Sequence, residues 1–338
     1  MTNLSETTSL SATAGASGAR QIHREAPAVP AKDRVMVVTV AVCTFRRPAI
    51  TECLQSLAAQ QLHDVRQSVL VIDNDDQDTA RTAIEDAGRD LNLDLRYVHA
   101  PGRNISIARN ACIEACDTHW LVFIDDDEIA APDWLQGMVD RMNQTPSAAI
   151  FGPMQAIYDK TAPGWLKRGD FHSVSVVYVD GEICTGYAGN SLIDLQHPAV
   201  RSERFDLAFG KSGGEDTDFF DRIYRNGGRF DYAATALVTE RLAVDRQNLA
   251  WFLRRRYRSG QTHGRTLARR NQGRDRLPQI AKAAIKAGTC FAMTVVTLPA
   301  PVAWRRWLLR GALHAGVVAR LFGQREAAFY GQQEAATS

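Results

Sequence analysis

Three consecutive carboxylates, Asp125, Asp126 and Asp127, directly follow the apolar run Leu121–Ile124. An apolar run of this length, bounded by turn residues, is typical of a strand buried on both faces of a parallel sheet. Open α/β sheets bind their ligands at the carboxyl ends of such strands. Adjacent carboxylates repel one another, and a divalent cation that prefers oxygen ligands, such as Mg²⁺ or Mn²⁺, would relieve the repulsion. The alternative is a solvated acidic turn.

A second acidic site, formed by Glu215 and Asp216, follows Gly213 and Gly214. The glycines allow the backbone to approach a neighbouring group closely, and the two acids open a predicted helix. Acidic residues in the first turn stabilise a helix through its dipole, and this is the structural interpretation of the pair. The catalytic interpretation is that one of the two carboxylates removes a proton from an attacking hydroxyl group.

The elements that must position these acids are strands that alternate with helices along the first hundred residues. The predicted elements are a strand at Val35–Val42, a helix at Ile50–Gln60, a strand at Val69–Ile72, a helix at about Thr79–Gly88 and a strand at Leu95–Val98. This alternation indicates βαβ units and a parallel sheet. Three of the strands end in polar residues, namely Thr44 and Arg46, Asp73 and Asp76, and Asp125 and Asp127. We therefore expect one site along one edge of the sheet.

The segment from Pro101 to Asn110 lies between two of these strand ends. Gly102 permits a tight turn, and Ser106 can cap a helix that carries Arg109. Arg103 or Arg109 is then placed to face the base or the phosphates of a nucleotide. The alternative for each is an ordinary surface arginine.

Four segments in this order resemble the nucleotide-sugar half of the GT-A glycosyltransferases, in the large inverting family 2 that includes cellulose and chitin synthases. They are Val40–Pro48, Val71–Asn74, Ala108–Asn110 and Phe123–Asp127. The branch that assembles exopolysaccharide repeat units such as succinoglycan is the most similar, and the resemblance covers roughly residues 35–260. It implies a Rossmann-like, mostly parallel sheet flanked by helices.

The resemblance also implies roles for the polar residues of the first half. Thr44 and Asp73 are expected to contact the base or ribose of UDP, and Arg103 or Arg109 to lie near the base. Asp125 is expected near the ribose or the metal, and Asp127 on the Mn²⁺ or Mg²⁺ that bridges the diphosphate. Arg46 and Asp126 are assigned to the same nucleotide-sugar site.

In the second half, the resemblance implies that Asp216 is the catalytic base, with Glu215 as its substitute or as the group that orients the acceptor. Asn190, in a strand predicted over Gly186–Ile193, aligns with an acceptor-side position, although an Asn satisfied within its strand is the alternative. Trp165 is expected to stack on the acceptor sugar or to anchor a loop. Many relatives have a metal-binding His near the end of the strand Leu237–Glu240, so Glu240 is the candidate third metal ligand here.

The C-terminal third is strongly basic. Residues 241–325 contain 18 Lys and Arg against 2 Asp and Glu, whereas the whole chain has a net charge of only +2. Such a segment suits an anionic membrane surface, a polyphosphate or a nucleic acid. A helix is predicted from Trp251 to Gly260. An uncharged segment, Ala287–Trp304, is broken by Pro299 and Pro301, and a second apolar segment, Leu308–Phe322, follows it. The pair is predicted to form basic, amphipathic helices lying in, or dipping into, the cytoplasmic leaflet, or alternatively packed on the catalytic domain.

The predicted organisation is a disordered leader (1–34), a catalytic domain (35–260), membrane-associating helices (261–325) and a flexible tail (326–338). Within the catalytic domain, residues 35–130 form the nucleotide-sugar half and 131–260 the acceptor half. The leader is rich in Ser, Thr and Ala and lacks the apolar core of a signal peptide. We therefore expect the protein at the cytoplasmic face of the inner membrane.

The predicted function is metal-dependent, inverting and non-processive transfer of a sugar from a UDP-sugar, with UDP-glucose as the expected donor. The expected acceptor is a polyprenyl-diphosphate-linked glycan in exopolysaccharide or surface-glycan synthesis, and no nucleic-acid partner is expected. One alternative is a nucleotidyl or phosphoryl transferase that uses the acidic cluster. The other is a non-catalytic membrane protein that binds a nucleotide sugar.

Overall fold

A computed structural model describes residues 35–270 and 273–324. The predicted leader and tail lie outside the described residues. The strands are β1 (Met36–Thr44), β2 (Val65–Asp73), β3 (Leu95–His99), β4 (Trp120–Asp125), β5 (Glu128–Ala130), β6 (Ala149–Phe151), β7 (Met154–Ile157), β8 (Tyr178–Val179), β9 (Glu182–Ile183), β10 (Asn190–Asp194), β11 (Phe230–Tyr232) and β12 (Val238–Arg241). The helices are α1 (Ile50–Ala58), α2 (Arg81–Asp90), α3 (Ile105–Ala115), α4 (Trp134–Gln144), α5 (Gly164–Gly169), α6 (Glu215–Arg225), α7 (Leu249–Arg270), α8 (Arg276–Val296) and α9 (Pro301–Leu321).

The main sheet has seven strands in the order β11-β6-β10-β4-β1-β2-β3. Strands β4, β1, β2 and β3 are parallel, and β10 runs antiparallel to β4 and β6. The predicted α/β fold class, with helices flanking a mixed sheet that is parallel in its first half, is confirmed.

Side chains on alternate positions of β1 enter two different cores, which explains its uninterrupted apolar sequence. Val40 packs in a core with Trp134 of α4, whereas Ala41 packs in a core with Phe219 and Phe220 of α6. The sheet is therefore covered on both faces, and its polar strand ends are the part left to form a site.

A second, smaller sheet has the order β5-β12-β7. The predicted strand Leu237–Glu240 belongs to this sheet, where Glu240 pairs with Glu128 across β12 and β5. An isolated bridge of Val174 to Met154 and the short hairpin of β8 and β9 replace a strand that the apolar alternation of residues 173–179 suggests.

The last three helices pack on one another, and α8 ends before Pro299 while α9 begins at Pro301. Helix α7 continues to Arg270, past the end predicted at Gly260. A Cβ atom on Gly260 would lie 1.9 Å from the carbonyl oxygen of Leu313, and one on Gly316 would lie 2.0 Å from that of Tyr257. The α7 and α9 backbones are thus in direct contact through their glycines. Of the helices in residues 35–270 and 273–324, none combines the length and apolar composition needed to cross a bilayer.

Candidate active site

The polar ends of three parallel strands lie side by side, as predicted. In the sheet register Thr44 of β1 is opposite Asp73 of β2, and Cys43 is opposite Asp125 of β4. A cavity of about 340 Å³ lies beyond these ends, and we call it the donor cavity. Of the residues predicted to bind the nucleotide sugar, five line it: Thr44, Arg103, Arg109, Asp125 and Asp126.

The two remaining predicted nucleotide contacts do not line the donor cavity. Asp73 is 1% exposed and accepts hydrogen bonds from the Tyr97 hydroxyl (2.7 Å) and the Asp75 backbone N–H (2.9 Å). Arg46 forms an ion pair with Asp75 (2.5 Å). Both side chains therefore brace the loop after β2. The adjacent Asn74 lines the cavity instead, and its side chain accepts from the Asn104 N–H (2.5 Å).

The three consecutive carboxylates point to different partners. The Asp126 side chain accepts a hydrogen bond from the Thr44 hydroxyl (2.7 Å) and lies 3.3 Å from Nε of Arg47. Arg47 also forms an ion pair with Asp127. Asp125 lies 3.7 Å from a guanidinium nitrogen of Arg109. Arg47, which the sequence analysis did not single out, therefore acts as the counterion of two of the three acids.

Burial and mutual repulsion make these carboxyl groups weaker acids. Burial raises the pKa of Asp126 to about 7, although Arg47 opposes the rise. Burial likewise raises the pKa of Asp125, against the effect of Arg109, and Asp127 and Glu240 add to the increase. Half of the Asp125 side chain is exposed to the cleft, so water moderates this repulsion. The pKa of Asp127 is raised as well, mainly by burial and with Arg47 opposing.

The acidic residues at this end of the cleft have the chemistry of ligands for a hard divalent cation. Asp125, Asp127 and Glu240 all line the donor cavity and repel one another electrostatically, and carboxylate oxygens are the preferred ligands of Mg²⁺ and Mn²⁺. Within residues 35–270 and 273–324, however, no group of three or more His, Cys, Asp or Glu side chains is already arranged to hold a metal ion. Arg47 holds Asp127 in this arrangement, so a cation would have to take its place.

Glu240 is held by a chain of hydrogen bonds that the sequence analysis did not identify. His172, which is 3% exposed, lies with Nε2 2.8 Å from the Glu240 carboxylate and with Nδ1 2.6 Å from Arg255. Because arginine can only donate, Nδ1 accepts and Nε2 carries the proton donated to Glu240. Burial acts to raise the pKa of Glu240, but His172 and Arg255 outweigh it and lower that pKa. Glu240 is therefore an ionised group at the cleft.

A larger cavity of about 900 Å³ adjoins the donor cavity, and we call it the acceptor cavity. Arg109, Asp125, Glu240, Arg255 and Arg258 line both. Glu215 and Asp216, at the start of α6, line the acceptor cavity. The two acidic sites predicted from sequence thus belong to one continuous cleft.

Arg109 connects the two acidic sites. Its buried guanidinium forms an ion pair with Glu215 and lies 3.7 Å from Asp125. Glu215 is 2% exposed, and burial raises its pKa to about 7 despite the effect of Arg109. Burial favours loss of the Arg109 proton, but Glu215 and Asp125 outweigh that effect and raise the pKa of Arg109. The neighbouring Asp216 remains partly exposed on the cleft.

Neither predicted acceptor-binding residue lines the cleft. Asn190 is 0% exposed; it accepts from Nε1 of Trp134 (2.8 Å) and donates to the carbonyl groups of Pro153 and Ala236 (2.9 Å each). Its amide is fully used within the fold, and the acceptor role is corrected to a structural one. Trp165 packs with Phe171 and Phe252 in a separate cluster beneath α9, which is the loop-anchoring alternative.

Comparison with known proteins identifies the class. The glycosyl transferase family 2 model matches residues 39–195. The chain is 42% identical over 298 residues to the succinoglycan biosynthesis protein ExoM of Rhizobium meliloti (strain 1021), covering 88% of this chain and 96% of that protein. A glucosyl-dolichyl phosphate glucuronosyltransferase of Haloferax volcanii is 24% identical over 246 residues, covering 67% of this chain and 75% of that protein.

A solved structure shares the fold. The mannosyltransferase PcManGT of Pyrobaculum calidifontis, determined with GDP-Man and Mn²⁺, superposes with a TM-score of 0.56 at 18% identity, covering 85% of this chain and 88% of that one. The protein is therefore a glycosyltransferase with a GT-A fold. It belongs to glycosyl transferase family 2 and is related to a protein of succinoglycan biosynthesis.

Proposed function

We propose that this glycosyltransferase moves a sugar, with inversion, from a UDP-sugar to a polyprenyl-diphosphate-linked glycan in exopolysaccharide synthesis, and that it requires a divalent cation. The observation that carries the proposal is the single cleft in which Arg109 joins the acidic strand end at Asp125 to the acidic helix start at Glu215. Donor and acceptor chemistry can then occur on opposite sides of one guanidinium. UDP-glucose is the donor that the family resemblance implies.

Asp216 is the proposed catalytic base. The acceptor hydroxyl oxygen forms a bond to the anomeric carbon, its proton passes to the Asp216 carboxylate, and the bond from that carbon to the diphosphate breaks with its electron pair on UDP. Glu215 is less suited to this role because it is buried and held by Arg109. It is proposed to position the start of α6, where Gly213 and Gly214 adopt positive φ angles (88° and 91°) that glycine tolerates and turn the chain into the cleft.

The cation would be held by Asp127 and Asp125, with Glu240 as the third ligand. When bound, it supplies positive charge where the leaving diphosphate gains negative charge. Arg255, Arg258 and Arg246 line the same cavity and are suited to bidentate phosphate contacts. The Mn²⁺ in the related mannosyltransferase structure supports a divalent cation here.

The lipid-linked acceptor is supported by one relative and by the outer surface of α8. The name of the archaeal relative specifies an acceptor on dolichyl phosphate. Ile285, Val295 and Val296 of α8 are 67–70% exposed. Trp304 and the exposed Arg306 follow at the start of α9, and this combination suits an anionic bilayer surface. We propose that this face rests on the cytoplasmic leaflet of the inner membrane.

The reaction is tested by measuring UDP release from purified protein supplied with UDP-sugars, Mn²⁺ and lipid-linked oligosaccharide extract. Asp216→Asn should reduce kcat at least about a hundredfold, and Asp127→Asn should raise the Mn²⁺ concentration that gives half-maximal rate. Asp140→Asn, on an exposed face of α4, is the control and should retain activity. Full turnover in Asp216→Asn would remove the assignment of the base, and a product with retained anomeric configuration would remove the mechanism.

Membrane contact is tested separately by sedimentation with vesicles. Ile285→Glu should reduce binding to vesicles that contain anionic lipid, because it places a carboxylate on the apolar face of α8. Unchanged co-sedimentation of this variant would argue against the proposed orientation.

A further inference from the structure

One wall of the acceptor cavity carries basic side chains from three helices. His263 comes from α7, Lys282 and Lys286 from α8, and His314 from α9, and all four line the cavity. We call these four residues the cationic wall. Lys286 influences both imidazoles: burial has the larger effect in lowering the pKa of each ring, and Lys286 lowers both further. Lys286 and the two imidazoles therefore share one electrostatic environment.

The positive charges of Lys282 and Lys286 are not balanced by acidic residues of the three helices. Helices α7, α8 and α9 contain no Asp or Glu. Lys282 and Lys286 are exposed to the cavity and form no hydrogen bond or ion pair within the described parts of the chain. In contrast, Arg269 and Arg270 at the end of α7 are paired with acids of α6. The cationic wall therefore has the chemistry to bind an anionic ligand.

Apolar side chains surround the same wall. Leu267, Ala283, Leu313 and Val317 line the cavity between the basic groups and join a small hydrophobic cluster formed by the three helices. Basic groups that converge from separate helices can contact several oxygens of one multiply charged anion. Apolar contacts beside them suit a hydrocarbon chain attached to that anion. The combination favours a lipid diphosphate over a free sugar or a carboxylate.

We propose that the cationic wall binds the diphosphate of the polyprenyl-linked acceptor, with the first prenyl units against the half-buried Leu267 and Leu313. This inference rests on the proposed function and adds to it the place where the acceptor is held. The glycan attached to the diphosphate then extends through the same cavity towards Asp216 and Arg109.

The test is calorimetric titration of the full-length protein with farnesyl diphosphate as the probe, in the presence of saturating UDP to fill the donor cavity. The double variant Lys282→Ala/Lys286→Ala should raise the Kd at least about tenfold, because two charge-assisted contacts are lost. Lys286→Arg, which keeps the charge, should lie close to wild type. Inorganic pyrophosphate should bind at least about tenfold more weakly than farnesyl diphosphate, because it lacks the hydrocarbon.

The matched control is Lys160→Ala/Lys211→Ala, which removes the same charge from exposed positions outside both cavities and should bind like wild type. A wild-type Kd in the double variant of α8 would overturn the proposal, and equal binding of pyrophosphate and farnesyl diphosphate would overturn the lipid assignment.

Sugar transfer by the wild type is measured independently. If transfer occurs while the α8 variant binds farnesyl diphosphate normally, this inference fails and the proposed function stands. If no lipid-linked acceptor receives sugar, the proposed function fails.

Discussion

Replacing Arg47 with methionine should destabilise the metal-free protein in a manner that depends on pH. Methionine keeps much of the apolar stem of the side chain but removes the charge that faces Asp126 and Asp127. The Arg47 side chain is 32% exposed and that of Asp126 is 9% exposed, so the pair lies between a surface ion pair, worth up to about 1 kcal/mol, and a buried one, whose loss costs about 3–5 kcal/mol. We expect the free energy of unfolding to fall by about 2 kcal/mol at pH 8 in EDTA.

The sign of the pH dependence follows from Asp126. Arg47 lowers the pKa of this carboxyl group, which burial raises to about 7, so the pKa of Asp126 is higher still in the variant. The deficit grows as the pH rises above about 7, where Asp126 ionises in the wild-type protein, and it shrinks as the pH falls below about 7 and Asp126 becomes protonated in both proteins. Mn²⁺ should also reduce the deficit, because a dication can replace the guanidinium.

Thermal melting in EDTA and in Mn²⁺, at pH 8 and pH 5.5, measures these effects, and a deficit of this size corresponds to about 3 °C in Tm for a chain of this length. Arg66→Met is the matched control, since Arg66 and Asp94 form an exposed pair at 3.6 Å. A variant of Arg47 that melts like wild type at pH 8 in EDTA, or a deficit unchanged by acid and by Mn²⁺, would refute the role of Arg47 as a counterion.

Three further predictions concern Glu215, the metal ligands and the helix contact. Glu215→Gln should not lower the free energy of unfolding at pH 8, because burial raises the pKa of Glu215 to about 7 and its charge is therefore costly to the folded state. A loss of about 3 kcal/mol in urea melts would show that the ion pair with Arg109 stabilises the folded state by more than the burial of the charge costs. Mn²⁺ affinity, measured by calorimetry, should fall at least about tenfold from pH 8 to pH 5, because the raised pKa values of Asp125 and Asp127 let protons compete; constant affinity would contradict this ligand set. Gly260→Ala should lower the free energy of unfolding by about 3 kcal/mol, since its Cβ would lie 1.9 Å from a carbonyl oxygen of α9. The control Gly288→Ala, whose Cβ would have no atom within 4 Å, should be neutral or stabilising by up to about 1 kcal/mol. Equal melting curves for the two variants would disprove the tight contact.

The parts of the fold that local patterns determine could be predicted. The apolar runs of β1, β2 and β4 are long enough to be buried on two faces, and their polar ends meet because parallel strands end at one edge. The break between α8 and α9 follows from Pro299 and Pro301. In each case the information lies within about ten residues of the feature that it specifies.

The missing parts of the site depend on contacts between distant residues. Arg47 meets Asp127 across 80 positions, and His172 meets Glu240 across 68. No periodicity marks such pairs in one sequence. Asn190 was misassigned for the same reason, because its three hydrogen bonds come from α4 and two loops. A polar residue inside an apolar strand signals a specific partner, but not whether that partner is the substrate or the fold.

These distant arginines explain how four acidic groups can face one cleft before any cation is bound. Arg47 balances Asp126 and Asp127, Arg109 balances Asp125, and Glu240 is balanced through His172. A guanidinium is not deprotonated in proteins, so this balance persists over the pH range in which the acids titrate. Binding of the proposed cation would then exchange one positive partner for another, which would weaken the apparent metal affinity. The displaced arginine would become available to the diphosphate of the proposed donor, and we therefore expect metal and nucleotide to bind more tightly together than either does alone.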